Sequence, residues 1–247
     1  MTTHNILIVG ATSAIAGACA RRWAVPGARF FLVGRTADKL EQVAADLVAR
    51  GASVHTHVLD LNQLDQHAAM LDACCAALGP IDTALIAHGT LPDQPACEQD
   101  AHLAVQAFQS NGLSVIALLT ALAARMQAQQ TGCIAVISSV AGDRGRASNY
   151  CYGAAKGAVT AFCSGLRARL ARSGVHVLTI KPGFVDTPMT QGLSLPALLL
   201  ATPEQVAADI TRAIARRSNT LYTPWFWRGI MAVIGLIPEG VFKRLRL

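Results

Sequence analysis

The sequence predicts an α/β fold in which a parallel sheet of seven strands carries helices on both faces. Short apolar runs alternate with helical patterns along the whole chain, and no linker rich in Pro, Gly or Ser interrupts them. The predicted strands are residues 5–10, 29–33, 54–59, 83–87, 134–138, 175–180 and 220–222. The predicted helices are residues 14–24, 36–50, 63–78, 101–129, 150–173 and 203–217. This pattern indicates one doubly wound domain over residues 1–247.

The composition argues against several classes of function. Apolar residues make up 52% of the chain and charged residues 15%, as in a globular protein with a large core. The net charge of +6 is modest and forms no dense basic stripe, so we expect no nucleic-acid partner. The histidines and cysteines lack metal-ligand spacing, so we predict no metal site and read the seven cysteines as reduced thiols of a cytoplasmic protein. The longest apolar stretches, 115–124 and 229–238, are shorter than the roughly 20 residues of a membrane-spanning helix.

Two segments depart from the alternation of strands and helices. Residues 184–202 place Pro188, Gly192 and Pro196 among apolar residues, which predicts a long substrate loop. Residues 224–247 combine aromatic, aliphatic and basic residues in an amphipathic segment, typical of a helix lying at the inner face of a membrane. The same pattern suits a helix that closes over an active site or packs on a second subunit, and both interpretations stay open.

A turn of small residues follows the first predicted strand and precedes its helix. Free N–H groups at a helix N-terminus bind a dinucleotide pyrophosphate when no bulky side chain obstructs it. Taken alone, the turn could equally be an ordinary strand-to-helix connection capped by Thr or Ser. The cofactor-binding residues predicted in this turn are Gly10, Thr12, Ser13, Ala14 and Ile15.

The end of the second predicted strand bears on the choice of cofactor. An acidic residue there would hold the ribose hydroxyls of NAD, but this chain has Gly34 followed by Arg35. A guanidinium pairs well with a 2′-phosphate, although an arginine after a strand can also be simply solvated. The missing acid favours NADP(H) over NAD(H) in a Rossmann-type domain.

Three side chains suggest acid–base chemistry on a carbonyl group. Tyr152 and Lys156 lie four residues apart in a predicted helix and so project from one face. An ammonium beside a phenol lowers a pKa that is about 10 in water, which would make Tyr152 an acid or base near neutral pH. Ser139 ends the preceding strand, where its hydroxyl could hydrogen-bond a substrate oxygen. Tyr150 is expected to point away from that face. A Tyr-x-x-x-Lys pair alone would more simply be a surface pair, but here it coincides with the serine and the phosphate turn.

Residues 5–223 resemble the short-chain dehydrogenase/reductase family. The resemblance implies catalytic roles for Ser139, Tyr152, Lys156 and Asn111, with Lys156 also holding the nicotinamide ribose and Asn111 positioning a water in a proton relay. It further implies that Val185 and Thr187 meet the nicotinamide half of the cofactor. The remaining cofactor contacts implied by the resemblance are Asp60, Leu61, Ala87, His88, Gly89, Pro182 and Gly183.

The chain departs from the family pattern at two places. Ala14 and Ala16 replace the second and third glycines of the turn, which would add two Cβ atoms near the pyrophosphate. Ala87 and His88 stand where the family has Asn and Ala, which affects the backbone beside the adenosine ribose.

The stretch from Val140 to Tyr152 resembles a smaller branch, the keto-reductase partner of the decaprenylphosphoryl-ribose epimerisation system. That resemblance implies an amphiphilic or lipid-linked keto substrate. Arg144 and Arg146 follow Ser139 in this stretch. We predict that both lie at the mouth of the pocket and favour an anionic substrate, the alternative being that they are solvated or paired with Asp143.

These signals together predict an NADPH-preferring oxidoreductase that reduces a keto group of a small molecule to an alcohol, or catalyses the reverse reaction. The alternatives are a non-catalytic NADP-binding regulator and a membrane-surface scaffold. A regulator would need none of the catalytic set except Lys156, so the presence of the whole set argues against a regulator. The family resemblance implies a homodimer or homotetramer.

Overall fold

The computed structural model describes residues 4–192 and 196–245. Residues 193–195 of the predicted substrate loop and 246–247 of the C-terminal segment lie outside the described residues. The strands are β1 Asn5–Val9, β2 Arg29–Gly34, β3 Ser53–Val58, β4 Thr83–Ile86, β5 Cys133–Ile137, β6 His176–Pro182, β7 Phe184–Val185, β8 Leu200–Ala201 and β9 Thr220–Thr223. The helices are α1 Ala14–Trp23, α2 Ala37–Ala49, α3 His67–Leu78, α4 Gln94–Gln99, α5 Ala101–Phe108, α6 Ser114–Gln129, α7 Tyr150–Leu170, α8 Pro203–Ala215, α9 Trp227–Leu236 and α10 Glu239–Phe242.

The main sheet confirms the predicted doubly wound topology. Within the described ranges it has seven parallel strands in the order β3-β2-β1-β4-β5-β6-β9. The chain winds outward from β1 to β3 and then returns to place β4 on the other side of β1. The strand order therefore reverses between β1 and β4, and ligands of such folds bind at the carboxyl ends of the strands beside this point.

Side chains alternate between the two faces of the sheet and form two cores. Ile6 and Ile8 of β1 pack with residues of α1, α2 and α8, whereas Leu7 and Val9 pack with residues of α3, α6 and α7. All four side chains are fully buried. A strand that is apolar on both faces needs a helix layer on each side, which is why the sequence folds as three layers.

Three local features differ from the sequence prediction. Helix α4 was not predicted; Asp93 caps it by accepting a hydrogen bond from the Ala96 backbone. The long helix predicted over 101–129 contains a π-helical turn at Gln109–Leu113. The segment predicted as a loop over 184–202 contains β7 and β8, which pair with each other as a small parallel sheet.

The stretch Ala101–Gln129, formed by α5, the π turn and α6, is long and apolar enough to cross a membrane. The sequence prediction that the chain does not span a bilayer counted only uninterrupted apolar stretches, and polar residues such as His102, Gln106 and Asn111 interrupt this segment. Half of its most apolar part is buried inside the protein, and Leu118, Leu119 and Leu122 belong to the core beneath the sheet. In this structure it is a core helix.

The C-terminal segment packs beside the β5–α7 connection. Trp227 and Met231 of α9 are buried and form a small apolar cluster with Val140. The opposite side of the segment leaves Trp225, Val233, Leu236 and Val241 more than half exposed. The inner face of α9 therefore packs beside the cavity, in agreement with the interpretation of the segment as a helix near an active site. Contact of the outer face with a membrane or a second subunit stays a prediction.

Candidate active site

The turns after β1 and β4 touch each other where the strand order reverses. Gly10 has a positive φ of 81°, and a Cβ on it would lie 2.5 Å from the His88 backbone nitrogen. Only glycine meets both constraints at this position. The close approach leaves the N-terminal end of α1 open toward the carboxyl edge of the sheet, as a bound pyrophosphate requires.

A cavity of about 470 Å³ runs along this edge of the sheet. Every cofactor-binding residue predicted from the sequence lines it: Gly10, Thr12, Ser13, Ala14, Ile15, Arg35, Asp60, Leu61, Ala87, His88, Gly89, Lys156, Pro182, Gly183, Val185 and Thr187. Ser139 and Tyr152 line it as well. The structure thus brings the phosphate turn and three of the four predicted catalytic residues to one cavity.

Tyr152 and Lys156 project from α7 toward the end of β5, where Ser139 stands. The Lys156 Nζ atom lies 5.7 Å from the centre of the Tyr152 ring and donates a hydrogen bond of 3.0 Å to the Ile137 carbonyl. Ser138 fastens α7 to the strand, because its hydroxyl is bonded to the Thr160 hydroxyl at 2.7 Å. These contacts hold α7 against the end of β5 and so fix the distance between Ser139 and Tyr152.

Burial sets the pKa values of both residues. It raises the pKa of Tyr152 to about 12, and a hydrogen bond from Ser139 only partly opposes this. It lowers the pKa of Lys156 to about 8. The sequence predicted a lowered pKa for Tyr152, and the structure shows the opposite direction. Burial disfavours the charged phenolate, and the Lys156 amino group donates its hydrogen bond to a backbone carbonyl.

Tyr150 lies outside the cavity. Its side chain is 44% exposed and interacts with Gln94 and Glu98 of α4. Two residues along α7 are enough to turn it from the face that carries Tyr152, as the helical spacing predicts.

Asn111 does not line the cavity, in contrast to the other predicted catalytic residues. Its side chain is fully buried in the π turn, where Oδ1 accepts a hydrogen bond from Thr90 N at 2.9 Å and Nδ2 donates one to the Ala107 carbonyl at 3.0 Å. The amide is therefore occupied in joining the β4 connection to the helix. The predicted water-positioning role of this side chain is not apparent in these contacts.

His88 lies close to Lys156. Its Nε2 is bonded to the Ser114 hydroxyl at 3.0 Å, and its buried Nδ1 has no partner among the described residues. Burial lowers the pKa of His88 to about 3, with a further contribution from Lys156. The imidazole is therefore neutral at physiological pH and adds no charge to the cavity.

The end of the cavity that is predicted to hold the adenosine lies at the ends of β2 and β3. Arg35 is exposed there, and Asp60 accepts a hydrogen bond of 3.0 Å from the Asn62 backbone. Of the two alanines that replace glycines, Ala14 lines the cavity, whereas Ala16 is buried in the core on the α1 side of the sheet. The expectation that both add bulk near the pyrophosphate is therefore wrong for Ala16.

Sequence reasoning did not assign several residues that line the cavity. Thr190 closes the turn after β7 by donating to the Val185 carbonyl at 2.6 Å. No periodicity marks such loop residues, although a hydroxyl three residues after Thr187 is a turn signal. The other lining residues without an individual assignment are Gly34, Asn62, Thr90, Leu91, Ser110, Ser114, Ile137, Ser138, Val140, Ala141, Asn149, Phe184, Pro188 and Met189. Phe184, Pro188, Met189 and Thr190 lie in the predicted substrate loop 184–202.

The two arginines after Ser139 take different positions. Arg144 does not line the cavity, and its prediction as a pocket residue is wrong. Its guanidinium donates to the Ile237 carbonyl at 2.7 Å, pairs with Glu239 at 3.0 Å and stacks on the Phe242 ring. The free carbonyls at the end of α9 attract this cation. Arg146 does line the cavity and is 9% exposed.

The described part of the chain has no cluster of three or more His, Cys, Asp or Glu side chains that could hold a metal ion. All seven cysteines are free thiols.

Comparison with known proteins identifies the family. The family model described as short chain dehydrogenase matches residues 4–196. The chain belongs to the short-chain dehydrogenase family. This short-chain dehydrogenase is 41% identical over 241 residues to an uncharacterized oxidoreductase of Mycobacterium tuberculosis, covering 97% of this chain and 96% of that protein. It is 36% identical over 243 residues to an uncharacterized oxidoreductase of Streptomyces coelicolor, covering 98% and 96%.

A solved structure of actinorhodin polyketide ketoreductase with NADPH has the same fold as this short-chain dehydrogenase. The TM-score is 0.81 at 23% sequence identity, over 92% of this chain and 99% of that chain. The family places the chain among the oxidoreductases that use a nicotinamide dinucleotide. The turns after β1 and β2 form one end of the cavity, here called the cofactor end, and the end of β5, the connection after it and α7 form the other, here called the substrate end.

Proposed function

We propose that this short-chain dehydrogenase is an NADPH-preferring reductase of a keto group, with Tyr152 as the acid. The observation that carries the proposal is the placement of Ser139, Tyr152 and Lys156 in one cavity with the phosphate turn. The named relatives are oxidoreductases, and the structurally similar ketoreductase was crystallised with NADPH. A regulator that only binds the nucleotide would not need the serine and the tyrosine.

The residues present fit a nicotinamide dinucleotide. Gly10 leaves no room for a Cβ, and the small residues beside it open the N-terminal end of α1 to a pyrophosphate. Lys156 would hold the nicotinamide ribose, and Arg35 the 2′-phosphate. When bound, the nicotinamide supplies the hydride that reduces the carbonyl carbon.

The proton comes from the chain. Ser139 donates a hydrogen bond to the substrate carbonyl oxygen, which stabilises the negative charge that develops there. Tyr152 then protonates this oxygen to give the alcohol. The raised pKa of Tyr152, about 12, keeps the phenol protonated at neutral pH, which suits reduction. The reverse reaction requires the phenolate, so alcohol oxidation should speed up as the pH rises.

The direct test is turnover by the purified chain. Aliphatic and aromatic ketones are offered with NADPH or NADH, and oxidation of the nucleotide is followed by its absorbance. Reduction of at least some ketones, faster with NADPH, is expected. Tight nucleotide binding with no turnover in either direction would favour the regulator instead.

Cofactor preference is expected to depend on Arg35, because it is the exposed cation at the adenosine end of the cavity. Arg35→Ala should weaken NADPH binding about tenfold to a hundredfold, since a hydrogen bond to a charged group contributes roughly 1.5–3 kcal/mol. NADH binding should stay nearly constant. Fluorescence titration of both nucleotides measures this, and equal affinities in the parent chain would contradict the preference for NADPH.

A further inference from the structure

The substrate end of the cavity contains a buried cation that has no anion beside it. Arg146 is 9% exposed, and its guanidinium forms no ion pair with any residue in the described ranges. Its Nη2 donates to the Met231 sulfur at 3.1 Å, which is a weak acceptor. Its Nε is buried and has no hydrogen-bond partner among the described residues. A guanidinium has five N–H donors, and only one contact from this guanidinium, the one to Met231, involves a described residue.

The acid nearest in sequence is already occupied. Asp143 accepts a hydrogen bond from Lys181 at 2.5 Å and one from the Tyr222 hydroxyl at 2.8 Å. It exerts only a longer-range attraction on Arg146, and burial lowers the pKa of Arg146. A buried cation without a bonded anion is costly, and such groups are usually paired.

The surroundings of Arg146 point to a ligand rather than to a structural partner. Asn149, three residues further along the same connection, also lines the cavity, and its buried Oδ1 accepts no hydrogen bond from a described residue. Arg144, two residues before Arg146, provides a comparison, because its guanidinium has a structural role. Its guanidinium is saturated by carbonyls, a carboxylate and an aromatic ring.

Arg146 lies too far from Arg35 to serve the 2′-phosphate of the cofactor. Arg35 follows β2, whereas Arg146 is in the connection that follows β5. In the sheet β1 and β4 lie between β2 and β5, so the two connections are about 14 Å apart at a strand spacing of roughly 4.8 Å. Arg146 instead shares its connection with Ser139, beside the reacting carbonyl.

We propose that Arg146 binds an anionic group, a carboxylate or a phosphate, on the keto substrate and thereby selects anionic substrates. The inference rests on the proposed reductase function and adds the class of substrate to it. A guanidinium donates two parallel hydrogen bonds to either group, and Met231 of α9 lies against this guanidinium. The reacting carbonyl and the anion are then held at two ends of one site.

The test compares ketones that differ only in charge. The pairs are 4-acetylbenzoate with its methyl ester, and dihydroxyacetone phosphate with dihydroxyacetone. The parent chain should prefer the anionic member of at least one pair. Arg146→Met should lower kcat/KM for that member about tenfold to a hundredfold, mainly through KM, and change the neutral member little. Arg146→Lys should recover part of the loss, because an ammonium restores the positive charge but not the two parallel hydrogen-bond donors of the guanidinium.

The neighbouring Arg144 gives a matched control. Arg144→Lys, which keeps a cation beside Glu239 and the end of α9, should affect both members of a pair equally, since this side chain lies outside the cavity. Equal effects of Arg146→Met on both members of both pairs would overturn the proposal. Loss limited to one pair identifies the group as carboxylate or phosphate.

A binding measurement separates this inference from the proposed function. In the presence of NADP⁺, 4-acetylbenzoate or inorganic phosphate should raise the melting temperature of the parent chain and not that of Arg146→Met. If no ketone is reduced, the proposed function fails, but the melting temperatures still show whether Arg146 binds an anion. An equal rise in both proteins, or none in the parent, would refute anion binding at Arg146.

Discussion

Replacing Tyr152 by phenylalanine removes one oxygen atom from the centre of the cavity. The ring and its packing on α7 remain, so the substitution tests proton donation with little other change. The lost contact is the hydrogen bond with Ser139, whose removal destabilises a fold by about 1 kcal/mol. That loss is small beside the 5–15 kcal/mol that typically separates folded from unfolded chains.

The expected loss of activity is much larger than the loss of stability. A positioned general acid contributes about 10²- to 10⁴-fold to the rate, or about 2.7–5.4 kcal/mol of transition-state stabilisation. Because the raised pKa keeps Tyr152 protonated, the parent chain has this acid available throughout the neutral range. Tyr152→Phe should therefore lower kcat for ketone reduction by that factor and leave nucleotide affinity nearly unchanged.

Tyr150→Phe is the matched control, because it removes the same atom from an exposed side chain two residues away. Surface substitutions usually change the free energy of unfolding by less than about 0.5 kcal/mol, and Tyr150 does not line the cavity, so the activity should stay close to that of the parent. Ketone-dependent oxidation of NADPH measures the rates, and fluorescence titration measures nucleotide binding. An inactive Tyr150→Phe beside an active Tyr152→Phe would refute the assignment of the acid.

Two further predictions concern stability. A Cβ on Gly183 would overlap the Trp227 indole, so Gly183→Ala should destabilise the chain by about 1–3 kcal/mol and disturb the cavity wall. Gly229→Ala, which has open space around it, should not; urea unfolding compares the two, and equal losses would contradict the packing argument. Burial raises the pKa of Cys19, Cys74 and Cys133 to about 12 from 9.0, so the folded chain keeps protons that the unfolded chain releases. Unfolding free energy should fall as the pH rises from 9 to 12, by up to about 1.4 kcal/mol per pH unit for each thiol. A Cys19→Ala/Cys74→Ala variant should show a shallower fall, and an unchanged slope would disprove this origin.

The sequence predicted the fold well where apolar runs are long. All seven strands of the main sheet were predicted to within two residues at each end, because strands buried on both faces need continuous apolar residues. The two-residue strands β7 and β8 carry no such signal. Helix α4 is only six residues long, although Asp93 followed by Pro95 at the start of the helix could have revealed its cap.

Positions within the candidate site were predictable where strand ends fix them. The residues after β1, β4 and β5 must converge, since the carboxyl ends of parallel strands share one edge of the sheet. Connections are less constrained. Arg144 and Arg146 are two residues apart, yet one binds the end of α9 and the other faces the cavity. The sequence also predicted the pKa shift of Tyr152 in the wrong direction, because this pKa depends on burial rather than on the spacing to Lys156.

The contacts of Trp227 with Gly183 and of Arg144 with Ile237 have a consequence for biosynthesis. Helix α9 is translated after every proposed catalytic residue, yet its Trp227 packs on Gly183 and its C-terminal end binds Arg144. The wall of the cavity at Gly183 therefore depends on the last helices. A bulky fusion that displaces α9 would disturb the cavity both at Gly183, which packs on Trp227, and at Arg146, which contacts Met231.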